Sequence, residues 1–277
     1  MAIAHASISC GATRGRKAFS FSSLCSAQFI SDNLWRGGII ATVLILWQVA
    51  VNAEWVNPFL MGSPEGIAKE VLRLVESGQL LDDTLTTVYA TVVGFVLGSA
   101  LGSLSGLALW FSSSVARVID PFMVALNGLP KIALAPMIII WFGSGMLSKV
   151  ALAFVATYVV ALLSSYQGTH QIDEKLVNLM RSLKASRRQI FAKLVIPATL
   201  PWIISALRLN IGFALVAEIG GEFIASDKGL GRMIFVAGNL FNLNAVWVGV
   251  MTLMLVATTL YVIVSRVEKK ILSWSGK

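Results

Sequence analysis

Two carboxylates, Glu218 and Glu222, stand four residues apart in an otherwise apolar run, so on a helix their side chains share one face. Such a pair can hold a proton or a cation. It can equally sit at an outer mouth and accept hydrogen bonds from exposed backbone or from Lys228 and Arg232. Arg208 precedes the pair and lies seven residues past Pro201, within snorkelling reach of a basic segment. Lys131 falls between Pro130 and Pro136. A cation in apolar surroundings is costly unless it snorkels or meets water or a partner. Each proline removes a backbone donor, which predicts a kinked or partly unwound segment. A pathway or gating role is open for Pro130, Lys131, Pro136, Arg208, Glu218 and Glu222, and so is a purely structural one.

A second set lies in residues 171–201, QIDEKLVNLMRSLKASRRQIFAKLVIPATLP. Lys175, Arg181, Lys184, Arg187, Arg188 and Lys193 outnumber Asp173 and Glu174, while Leu176, Leu179, Leu183, Ile190 and Leu194 recur at steps that suit a helical face. An amphipathic element held between apolar blocks can dock a cytoplasmic partner, its apolar residues in a cleft and its cations on the rim. Alternatively, it can lie among lipid headgroups.

The elements that carry these residues are membrane helices. The 277 residues are 56% hydrophobic and 13% charged, too apolar for an ordinary soluble domain. Charge is clustered, leaving windows of about 20 residues that satisfy their backbone in lipid only as helices. The runs do not alternate as barrel strands do. A net charge of +8 is confined mainly to segments on one side, without aromatic interleaving, which argues against nucleic acid. Two Cys, Cys10 and Cys25, and two His offer no disulfide framework, and no metal cluster is expected.

In chain order, residues 1–36 read as a poorly ordered cytoplasmic tail. They contain no uninterrupted apolar stretch ahead of a cleavage site, and an organelle transit sequence is the second reading. Residues 37–277 read as one transmembrane domain with a cytoplasmic loop at about 168–200. About six spans are expected, near Gly38–Val56, Tyr89–Trp110, Asp120–Gly145, Lys149–Ser165, Pro201–Gly221 and Val246–Val264. Between the first two, Ser63-Pro64 starts a short helix that Gly78 stops, with Ile67, Val71, Leu72 and Val75 on one side. Residues 54–83 hold six acids and two bases, which suits the non-cytoplasmic side and puts both termini in the cytoplasm. Gly94, Gly98, Gly102 and Gly106 form a stripe that admits a neighbouring helix closely. Gly229-Leu230-Gly231 makes a sharp outer turn, and no phosphate loop is present.

The 169–201 segment resembles the coupling loop of the permease subunits of bacterial ABC importers. That signature, Glu-Ala-Ala, then Gly, then an apolar residue and Pro, falls on Asn178-Leu179-Met180, Lys184, Leu194 and Pro197. Asn178 and Lys184 depart from its usual Glu and Gly. LPKIALAPMIIIWFGSGMLSKV (129–150), IPATLPWIISALRL (196–209) and GEFIASDKGLGRMI (221–234) are similar to the subgroup that imports nitrate, taurine, aliphatic sulfonates and pyrimidine precursors, whose usual Glu corresponds to Glu222. The resemblance covers roughly residues 60–273. It implies an all-α, type I importer permease in the bacterial inner membrane that pairs with a second copy and two ATP-binding subunits. A periplasmic or lipid-anchored binding protein would supply a small organic or inorganic anion. Leu176, Leu179, Met180, Arg181, Leu183, Lys184, Arg187, Leu194 and Pro197 would then couple to the ATPase. ATP and Mg would bind that partner, and this chain would hold no cofactor and catalyse nothing.

The same residues admit two rival classes. An ion-coupled carrier or channel would use Glu218, Glu222 and Lys131, but no convincing inverted repeats are present. A membrane-embedded enzyme lacks a nucleophile and base pair. The cargo is not written in the sequence; Arg208 or Lys131 would favour an anion if either reached the pathway.

Overall fold

The computed structural model describes residues 21–272, all of whose regular elements are helices. The chain divides into two compact units between Trp55 and Val56. The first contains α1 (Phe21–Asn52), whose apolar part, Gly37–Asn52, is shorter than a full span. Of the tail expected over residues 1–36, residues 1–20 lie outside the described residues and residues 21–36 form the N-terminal part of α1.

The second unit opens with two capped helices. Asn57 caps α2 (Pro58–Met61) and Ser63 caps α3 (Pro64–Glu76), each followed by a proline whose missing N–H is harmless in a first turn. Gly78, at φ +74°, separates α3 from α4 (Gln79–Ala108). The face of α3 differs from the sequence expectation. Ile67 and Leu74, two turns apart, are buried, whereas Leu72 and Val75 are exposed.

Then follow α5 (Ser113–Gly128), a 3-10 turn (Lys131–Leu134), α6 (Ala135–Phe142) and α7 (Met146–His170). Next come α8 (Glu174–Ser182), α9 (Arg187–Ile190), a π segment (Phe191–Val195), α10 (Ile196–Ile224), α11 (Leu230–Asn239) and α12 (Leu243–Leu272). Among the described residues four helical stretches are long and apolar enough to cross a membrane: 79–111, 146–170, 187–224 and 243–272. A fifth arises if 113–128 and 131–142, bent by 92° at their break, count as one span.

That break has a local cause. Leu129, held extended (ψ 130°) by the proline after it, ends α5, and Pro130 then gives up its own backbone donor. Pro136 sits harmlessly in the first turn of α6. Pro201, in contrast, lies inside α10 and does not open a span. The helical stretch begins at Arg187, and close packing around the buried Thr199 and Ile204 keeps the turn intact despite the missing donor.

The core is a three-helix packing of α4, α7 and α10. A Cβ at Gly94 would come within 2.8 Å of the Val150 carbonyl, and one at Gly98 within 2.5 Å of that of Phe154. Gly102 and Gly106 meet the carbonyls of Tyr158 and Leu162 in the same way. Both series advance by four, so α4 and α7 run parallel with their backbones nearly touching. Asn210 of α10, fully buried, donates to Ser99 Oγ (3.1 Å) and to the Thr157 carbonyl (3.3 Å), pinning the third helix to the other two.

Candidate functional site

Chemistry-bearing residues gather at the two ends of this bundle. At the α11 end, the turn before α11 is held by side chains from three helices. Asp83 Oδ1 accepts the Gly229 N–H (2.8 Å), Thr87 Oγ1 accepts that of Leu230 (2.9 Å), and Glu222 Oε2 accepts that of Gly231 (2.7 Å). Thr87 in turn donates to Glu222 Oε1 at 2.9 Å. Lys149, from the first turn of α7, lies 3.5 Å from Glu222 Oε1 and donates to the Lys228 carbonyl, which Ser226 Oγ also reaches at 2.6 Å. Asp83, Thr87, Lys149 and Glu222 are all buried.

The three donated N–H groups are those the start of a helix leaves unpaired, and the positive end of the helix dipole favours the carboxylates beside it. Both glycines are sterically required. Gly229 has φ +126°, and a Cβ there would fall on the Glu222 carboxylate; a Cβ at Gly231 would sit 2.9 Å from Glu222 Oε2. Gly229, Gly231 and Glu222 therefore form one structural unit, a clasp.

The clasp differs from the mouth the sequence suggested. Glu222 does accept a backbone N–H, but its cation is Lys149. Lys228 instead pairs with Asp82 (2.6 Å) on an exposed surface, where that hydrogen bond and charge hold its ammonium above the ordinary lysine range. Glu218 lies beside Glu222 but outside the clasp. It is fully buried, and neither of its carboxyl oxygens has a hydrogen-bond partner among the described residues. Lys149, Asp83 and Thr87 were missed, and the one signal for Lys149 was a lone charge in the first turn of a long apolar helix.

Arg208 is engaged elsewhere. It donates through Nε to Glu268 Oε2 (2.8 Å), with a second bond from Nη2, and lies 5.9 Å from the Tyr261 ring. This ties α10 to α12. Lys131 Nζ donates to the Asn127 carbonyl (2.8 Å) and lines a cavity of about 380 Å³.

At the α8 end, Asp173 caps α8 through the Lys175 N–H (2.8 Å). One face of the helix packs inward. Val177 and Met180, with Leu194, cover the buried Leu107, Ile190 and Val195. The adjoining stripe is open, with Leu176, Leu179 and Leu183 exposed at 47%, 56% and 71%. The single face drawn from the sequence is thus divided, because Ile190 and Leu194 belong to the core and the three leucines do not. Arg187 also turns inward, donating to the Phe111 carbonyl (2.6 Å) over the rings of Trp110 and Phe111. Arg181 reaches only Asn178 (3.4 Å), and Pro197 lies in the first turn of α10.

Lys184 has φ +58°, its N–H bonds the Arg181 carbonyl (2.8 Å), and the Ala185 N–H bonds that of Met180 (3.0 Å). This is a Schellman ending, with Lys184 at the left-handed position that glycine favours.

Comparison with known proteins decides the family. Residues 94–273 match the model of the binding-protein-dependent transport system inner membrane component. The chain belongs to that family. The riboflavin transport system permease protein RibX of Chloroflexus aurantiacus is 30% identical over 84% of this chain and 87% of its own length. The taurine transport system permease protein TauC of Escherichia coli is 26% identical over 87% and 89%. The formylaminopyrimidine transport permease protein ThiX of Halalkalibacterium halodurans is 28% identical over 85% and 93%. A subunit of the inward-facing MetNI methionine ABC transporter superposes with a TM-score of 0.63 at 16% identity, over 71% of this chain and 97% of that one.

This inner membrane component is an ABC-importer permease subunit: it forms the translocation pathway for a small solute and works with an ATPase and a binding protein. It is a transport subunit of the inner membrane, not an enzyme. The carrier expectation built on Glu218 and Glu222 gives way to that membership. Among the described residues no cluster of His, Cys, Asp and Glu could hold a metal.

Proposed function

We propose that this permease crosses the inner membrane six times, counting α1 and the bent pair, with both termini cytoplasmic and the α8 end facing the cytoplasm. It pairs with a second copy. Two ATP-binding subunits, which hold ATP and Mg, seat the leucine face of α8, and Arg187 and Met180 position that helix from behind. A periplasmic or lipid-anchored binding protein delivers cargo at the α11 end, where the clasp of Glu222, Lys149, Gly229 and Gly231 forms part of the outer gate. The glycine stripe makes α4 and α7 one rigid body that transmits movement between the ends. Residues 37–277 form the permease domain and residues 1–36 a cytoplasmic tail.

The observation that carries the reading is the division of α8. An amphipathic helix docked through Val177 and Met180 leaves three leucines uncovered on the adjoining stripe, as a helix does that fits a partner's cleft. The cargo is a small anion such as nitrate, taurine or an alkanesulfonate, which the similarity to TauC supports.

The test is ATP hydrolysis by the partner ATPase reconstituted with this chain in vesicles, with and without the binding protein and a panel of these solutes. Stimulation that needs both the binding protein and one solute is expected. An ATPase that neither binds the chain nor changes its turnover would overturn the assembly.

A further inference from the structure

The break in the bent span places a cation beside a cavity. Asn127, Gly128, Leu129, Pro130 and Lys131 border it from the broken span, with Ala156 of α7 and Phe213, Val216 and Ala217 of α10 opposite, around about 380 Å³. Ile132 locks the break in place by filling the space over Gly220, where no Cβ fits. The depth follows from Ala156, which lies about 15 Å along α7 from Met146, half of a hydrocarbon core about 30 Å thick. The Lys131 ammonium has three donors, and Asn127 uses two at most, through its carbonyl (2.8 Å) and Oδ1 (3.4 Å). Every other lining side chain is apolar apart from Asn127, so the cavity offers one positive charge and an amide in an otherwise greasy wall.

We propose that the Lys131 cavity is a mid-membrane way-station for the charged group of an anionic cargo, a sulfonate or another small oxyanion. The inference rests on the importer reading above and narrows its cargo. Its grounds are chemical. A cation at this depth is costly without a counter-charge. One weak point charge in an apolar wall suits brief stops and not tight capture. Arg208, a second cation within a span, is already paired with Glu268 and does not border the cavity. The uncharged formylaminopyrimidine named for one relative would gain nothing from Lys131.

The experiment uses the whole assembly, permease, ATPase and binding protein, in vesicles of zwitterionic lipid. Uptake of ethanesulfonate, taurine, nitrate and formylaminopyrimidine is measured with ATP. One anion is expected to accumulate. At limiting concentrations of it, Lys131→Met should lower uptake about tenfold or more, as loss of a charge-assisted hydrogen bond implies. Lys131→Arg should restore most of the rate, and ATP turnover stimulated by the binding protein should persist in the Met variant. Wild-type anion uptake by Lys131→Met overturns the inference, as does accumulation of the uncharged probe alone. So does a Met defect that appears only when anionic lipid is added, which would assign the cavity to a headgroup. If no probe enters and ATP turnover ignores the permease, the importer assembly itself fails and takes this inference with it.

Discussion

The two ends of the bundle solve opposite problems with the same kinds of residues. At the α11 end, the charges of the clasp are buried and nearly every polar atom in it has a partner within the chain. At the α8 end, charges are exposed and it is the apolar side chains that lack cover. A buried ion pair is poor at adding stability but severe when halved, so it defines one arrangement sharply. An exposed leucine face adds nothing to the isolated chain and becomes valuable only against a partner. The contrast separates residues that set the permease's own shape from residues that hand that shape to something else.

The strongest way to break this contrast is at the clasp. Lys149→Met leaves the buried Glu222 without its cation, and should destabilise the chain by about 3–5 kcal/mol. Thermal unfolding of the purified permease in detergent would read this as a marked fall in Tm. An unchanged Tm would mean that the clasp does not hold the α11 end.

The packing between the ends comes next. Gly98→Ala drives a methyl group into the Phe154 carbonyl and Thr157 and should cost about 1–3 kcal/mol. Gly212→Ala, in a helix where a Cβ meets nothing within 4 Å, should instead stabilise by up to about 1 kcal/mol. Equal effects in the same melting assay would show that the stripe is not what joins α4 to α7.

How much of this was legible depends on the range of the interaction. The glycine stripe could be read because spacing by four has one geometric meaning, and the broken span because Pro130 acts on its own neighbours. Glu222, Gly229 and Gly231 were each visible, but their joint role was not. Their unity depends on Asp83 and Thr87 of α4 and Lys149 of α7, which only the fold brings to them. Glu268 was hidden for the same reason, lying 60 residues from Arg208. Pro201 misled because a local rule about helix starts yields to packing around the helix. On α8 the periodicity was right, but it cannot say which apolar residues the chain itself covers.

Lys184 bears on the α8 end more gently. A lysine at the left-handed position of the Schellman ending carries a steric penalty that glycine avoids, so Lys184→Gly should stabilise the chain by roughly 0.5–1 kcal/mol. ATPase stimulation should be kept, since the turn keeps its shape. A loss of stimulation with a raised Tm would move Lys184 from geometry to direct contact.

The smallest expected change in stability is also the sharpest test of the contrast. Leu179→Asp with Leu183→Asp alters side chains that touch little of this chain, and exposed substitutions of this kind usually shift stability by no more than about 0.5 kcal/mol. Membrane insertion and Tm should therefore match the parent. Transport driven by ATP should nevertheless vanish, because two carboxylates in an apolar cleft must be desolvated without partners. Met180→Asp, on the adjoining stripe of the same helix, should do the reverse first: it breaks the packing against Leu107, Ile190 and Val195 and lowers Tm before any partner is added. If the leucine variants melt early while Met180→Asp does not, the inward and outward faces of α8 have been assigned the wrong way round. Persistence of ATP-driven transport in the leucine double variant would remove the α8 end from the coupling path altogether.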